Sequence, residues 1–91
     1  MALEIRDPLK KYLELNEDRT LVRRFVCPVE GCNYSTTLGP GALRMHLLIK
    51  ADPASTARYC EAHEAFYNAH REELGSEMVR YLYQLPRVVP D

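Results

Sequence analysis

The chain has 91 residues, with 12 Lys+Arg against 13 Asp+Glu, a formal net charge of -1 and 46% hydrophobic residues. That is the composition of one small globular domain, not of a disordered segment. It excludes the broad electrostatic grip of a strongly basic nucleic-acid domain and leaves little volume for an enzyme with a large substrate cleft. No apolar run approaches the roughly 18 residues of a membrane helix, and Met1 to Ile5 does not read as a leader. The expectation is an intracellular chain, cytoplasmic or nuclear, with no membrane partner. Its three Cys do not close into a disulfide framework, and a core this small is commonly stapled by a metal.

The first start signal is Asp7-Pro8, a capping carboxylate followed by Pro at the first helical position. It predicts a short helix carrying Leu9, Tyr12 and Leu13 and ending near Asn16, within an N-terminal region 1–19. Thr20 to Val26 reads as a strand, Cys27-Pro28-Val29-Glu30-Gly31-Cys32 as a turn, and Asn33 to Thr37 as the return strand. Gly39-Pro40-Gly41 breaks the hairpin, and Ala42 to Lys50 predicts a helix with Leu43, Leu47 and Ile49 apolar. Asp52-Pro53 repeats the start signal and predicts the longest helix, residues 53–74. Tyr59, Cys60, His63, Phe66, Tyr67, His70 and Leu74 would share one stripe of it. Gly75 reads as its C-cap and Ser76 as the N-cap of a last helix running to Pro86. An extended tail, 87–91, follows. The expected fold is therefore small α+β and mostly α. A ββα unit at 20–50 is extended by a helical hairpin and a C-terminal helix at 51–86, in one domain, 1–91.

Five side chains have metal-ligand chemistry: Cys27, Cys32, His46, Cys60 and His63. Four residues separate Cys27 from Cys32 across a turn, which lets two thiolates grip one ion, and Zn²⁺ takes four ligands at a tetrahedron's corners. The run Phe25 to Cys32, then Asn33-Tyr34-Ser35 and Leu43-Arg44-Met45-His46, resembles the C₂H₂ zinc-finger family over about residues 23–50. The resemblance implies a structural zinc on Cys27, Cys32 and His46. It departs from the family in two ways. Thirteen residues separate Cys32 from His46 where twelve is usual, and no second His follows three to five residues later. The fourth ligand must then come from the long helix. If that helix folds back about residues 51–52, the level of His46 is matched near residue 57, closer to Cys60 than to His63 by about a turn. The expected set is Cys27, Cys32, His46 and Cys60, with His63 as the alternative. A rival set is Cys27, Cys32, Cys60 and His63, with His46 merely packed. His70 has no partner and reads as a packed helix residue.

The function expected from these residues is a non-enzymatic module with one structural zinc and no small-molecule substrate. No phosphate-cradling Gly loop, zinc-protease helix or nucleophile elbow is present. The family's common use is DNA binding, and its base-reading positions carry Gly39, Gly41, Ala42 and Met45 here. None of them offers the fork that reads a base edge. Only Arg44 and Lys50 are basic on that helix. Arg19, Arg23, Arg24, Lys10 and Lys11 form a basic stretch balanced by Glu14, Glu17 and Asp18. Six Tyr and two Phe supply amphipathic contact residues. Protein–protein interaction or self-association, aided by the Val88-Val89 tail, is thus expected ahead of a DNA-binding regulator.

Overall fold

The computed structural model describes residues 3–88. After a single 3₁₀ helix, Asp7–Tyr12, come strands β1 (Leu13–Leu15), β2 (Val22–Val26) and β3 (Ser35–Thr36), then helices α1 (Pro40–Ala51), α2 (Glu61–Ala69) and α3 (Ser76–Tyr83). The strands form one antiparallel sheet in the order β1-β2-β3. The architecture is small α+β, as the sequence implies. Among the described residues no helix is long and apolar enough to cross a membrane.

The N-terminal helix is shorter than expected. Pro8 starts it, but Leu13 turns extended and pairs with Phe25, so the predicted last turn becomes β1. The reason is non-local: β2 buries Val22 and Phe25 to 1% exposure and gains a strand partner on that flank. Val22 and Phe25 are three residues apart, which puts side chains on opposite faces of a regular strand. The pairing slips between Glu14 and Leu15, so that Arg23 is the extra residue of a bulge and both neighbours reach the core. The turn between β1 and β2 is held by Asn16, whose Oδ1 accepts from the Thr20 and Leu21 amides.

α1 lays Leu43 and Leu47 onto the sheet, both fully buried, with Tyr12, Leu74, Met78 and Leu82 closing the same core. Gly39 precedes α1 at φ 133°, a conformation that side chains other than glycine's rarely adopt. The Tyr83 hydroxyl lies 2.8 Å from where a Cβ at Gly39 would stand, so α3 seats against the start of α1.

The predicted helix 53–74 is the largest departure. Residues 52–59 form turns instead: the Asp52 carboxylate accepts from the Ala54 amide, and the Ser55 carbonyl accepts from Arg58 and Tyr59. Short polar side chains here offer the backbone partners outside a helix. α2 starts only at Glu61 and ends at Ala69, where the His70 ring stacks on Phe66 and its Nδ1 meets the Phe66 carbonyl. Leu74 is fully buried from the turn that follows, and its carbonyl accepts from Arg44 Nε. Gly75 accordingly stands at the N-cap position of α3 and not at the end of a long helix. Arg87 makes a parallel bridge to Val22, and the Val22 carbonyl accepts from the Val88 amide. The tail is thus anchored on β2 at residues 87–88, and its continuation at 89–91 lies outside the described residues.

Candidate metal centre

Cys27 ends the segment that leaves β2, and Cys32 follows a tight turn. The Cys27 amide donates to the Tyr34 carbonyl at 3.0 Å and the Cys32 amide to the Val29 carbonyl at 3.0 Å. Gly31 takes φ 85°, which permits the turn. These bonds bring both sulfurs to one side of the loop, and the Val29 amide also donates to the Cys27 sulfur. Cys27 is buried and Cys32 half-buried. His46 projects from the middle of α1, its ring stacked on Tyr34 at 3.9 Å and 6°. His63, in the first turn of α2, is only 4% exposed.

These four side chains converge. Cys27 Sγ lies 3.5 Å from His63 Nε2, and Cys32 Sγ lies 3.5 Å from His46 Nε2. Their ligand atoms all fall within 4.8 Å of one another. Around a tetrahedral zinc, with bonds near 2.3 Å to sulfur and 2.0–2.1 Å to nitrogen, a sulfur–nitrogen edge measures about 3.6 Å. Both observed pairs match that edge, so the group has the donors and the spacing to hold one metal ion. Buried in this way the site favours uncharged groups. Burial, chiefly, pushes the Cys27 thiol up to about 12. Burial, with the neighbouring His63 and Lys50, pushes His46 down to about 4. His63 is lowered by the same desolvation and by Lys50. Two thiolates, two neutral imidazoles and a divalent cation sum to zero charge, which suits this environment. Among the described residues His63 Nδ1 has no hydrogen-bond partner, so Nε2 carries the ring's polar contact within the cluster.

Cys60, expected as the fourth member, stands outside the group, and the alternative His63 occupies its place. Nor is His46 a bystander, as the rival set had it. Cys60 would come level with His46 only if the helix ran through residues 53–60. Cys60 is instead extended, at φ -139° and ψ 123°, just ahead of α2. Its amide donates to the Lys50 carbonyl at 2.8 Å, clamping the end of α1 to the start of α2. His46 lies four residues before one side of that clamp and His63 three residues after the other. Each is about one helical turn away, so the two imidazoles come level. The turn-forming run Asp52-Pro53-Ala54-Ser55-Thr56 was the signal for this arrangement.

Among the basic residues considered for a nucleic-acid face, Arg44 is committed to the Leu74 carbonyl, and Arg24 makes two bonds to Glu14. Glu73 binds Lys11 at 2.7 Å and accepts from the buried Tyr12 hydroxyl at 3.0 Å. His70 packs on Phe66, as expected of a residue with no part in the site. No protein-family model matches the chain, and neither the curated proteins nor the solved structures contain a match.

Proposed function

We propose that the chain is a non-enzymatic module that holds one structural Zn²⁺ on Cys27, Cys32, His46 and His63 and presents its surface to another protein. The observation that carries this reading is the convergence of four soft donors from the Cys27–Cys32 turn, α1 and α2. Thiolate and imidazole together favour zinc, and four protein ligands leave no position for water or substrate. A metal so enclosed ties elements together and does no chemistry. Three free cysteines accord with a reducing, intracellular setting.

Protein recognition is favoured over DNA binding by what surrounds the first turn of α1. Gly39, Gly41 and Ala42 offer no base-reading fork, Tyr83 lies against Gly39 and Gly41, and Arg44 is turned to the Leu74 carbonyl. The test is zinc stoichiometry by elemental analysis on purified variants. Wild type and Cys60→Ser should each carry one zinc per chain, whereas Cys27→Ser and His63→Ala should lose it. A His63→Ala protein that keeps its zinc while Cys60→Ser loses it would overturn the ligand set. Tight, sequence-specific retention of duplex DNA at near-physiological salt would promote the DNA-binding reading.

A further inference from the structure

One flank of β2 is only partly covered. There β3 covers only Phe25 and Val26, and the C-terminal segment covers Val22. Between these two partners lies a groove lined by Thr37 and Leu38 beyond β3, by Arg87 and Val88 of the C-terminal segment, and along β2 by Val22 to Phe25, Arg23 among them. Leu38 is 80% exposed and Val88 41%, two of the four large apolar side chains left most open to solvent among the described residues. A third, Tyr83, adjoins the groove beneath the Arg87 guanidinium, 5.5 Å from its ring centre.

The charge of this groove is one-sided. Among the described residues its charged side chains are Arg23, Arg24 and Arg87, and no carboxylate lines it. Glu14, across the sheet, holds Arg24 with two hydrogen bonds and stands 3.7 Å from Arg23. Among the described residues no carboxylate pairs with Arg87. Among the described residues, three guanidinium groups against one carboxylate leave a local positive surplus on a chain whose total is -1. Arginine and tyrosine beside exposed aliphatic side chains are the composition of a contact surface.

Resting on the protein-interaction reading above, we propose that this groove binds an extended acidic segment of a partner protein. An aliphatic side chain of that segment seats between Leu38 and Val88, and its carboxylates meet Arg23 and Arg87. Its lining comes from two different chain segments and a strand, so the opening suits an extended occupant.

The test uses the zinc-loaded full chain and labelled octapeptides followed by fluorescence anisotropy. One alternates Asp with Leu, one Lys with Leu and one Asp with Ser, and a labelled duplex DNA is the fourth probe. The Asp/Leu peptide should bind, and the other two peptides should bind at least about tenfold more weakly. The double variant R23E/R87E, and separately L38D, should each weaken Asp/Leu binding by about tenfold or more, in keeping with two exposed charge pairs reversed or an apolar anchor lost. All three positions are exposed, and zinc content and circular dichroism of both variants should match wild type. Equal binding of the Lys/Leu peptide, or binding indifferent to both variants, would overturn the proposal. Binding of the duplex alone, lost in R23E/R87E, would give the groove to nucleic acid. Zinc content is read separately, so failure of the metal assignment and failure of the groove are distinguishable.

Discussion

Withdrawing the metal is expected to free α2 before any other element. Of its nine residues only His63 is fully buried, while Phe66 and Tyr67 pack part-way against the core. A helix of that length falls short of the roughly 12–15 residues needed for even marginal stability alone. Ordering its backbone costs roughly 1–2 kcal/mol per residue, or about 9–18 kcal/mol for the element. Structural zinc contributes about 10–16 kcal/mol in small metal-folded peptides, which is the scale required. Two half-buried aromatics add less than the roughly 1.5–3 kcal/mol that full burial of each would give. The sheet and α1 hold a core of their own in Val22, Phe25, Leu43 and Leu47. Saturating chelator should therefore melt α2, nine of the 29 α-helical residues, lowering the 222 nm ellipticity by about a third. Hydrogen exchange should turn fast over residues 61–69 while residues 22–26 and 43–47 stay protected. His63→Ala in the presence of zinc should give the same pattern. Full ellipticity with α2 still protected, after metal removal is verified, would refute the reasoning.

Four further outcomes follow from the packing and the electrostatics. Zinc uptake at neutral pH should displace protons mainly from thiols, whose ordinary value of about 8.5 keeps them protonated, and few from imidazole, whose ordinary value of about 6.5 leaves most rings neutral. Affinity should then rise about tenfold per pH unit for each thiol proton displaced, as calorimetry in buffers of different ionisation heat will read. The imidazoles act in the same direction on stability. Held neutral in the fold and free to protonate in the unfolded chain, they favour the fold above about pH 6.5, and that advantage shrinks as pH falls below it, so the urea midpoint of the zinc-loaded protein should drop there. Gly39→Ala should destabilise by roughly 1–3 kcal/mol in urea titration, and Tyr83→Ala should relieve only part of this, because the φ of 133° persists when the clash is gone. Tyr12→Phe should cost roughly 1–2 kcal/mol, since it removes a buried hydroxyl's bond to Glu73 while Lys11 still holds that carboxylate.

The parts of the fold legible in the sequence are those fixed by local chemistry. Gly31 marks the turn between the cysteines, Gly39-Pro40-Gly41 marks the break before α1, which starts at Pro40, ahead of the expected Ala42, and Leu43 with Leu47 marks its buried face. What escaped was set by distant partners or by competing turns. Leu13 to Leu15 looks helical by its spacing and becomes a strand because β2 takes it as a partner, in a register that needs a bulge opposite Glu14 and Leu15. Asp52-Pro53 is a helix start signal by residue type, yet the Asp52 carboxylate spends itself on a turn, and α2 begins eight residues after Pro53. The choice between Cys60 and His63 depended on that one boundary. Once Cys60 is extended and its amide is clamped to Lys50, only His63 is placed to face His46 and the two sulfurs. The donor types were readable from the sequence, and their selection was a matter of where one helix begins.

The ligand set can be read from the X-ray absorption spectrum of the zinc-loaded protein at the zinc edge. Cys27, Cys32, His46 and His63 should give a four-coordinate metal with two sulfur ligands at about 2.3 Å and two nitrogen ligands at about 2.0–2.1 Å, unchanged in Cys60→Ser. A shell of three sulfurs and one nitrogen would place Cys60 on the metal and contradict the geometry of Cys27, Cys32, His46 and His63.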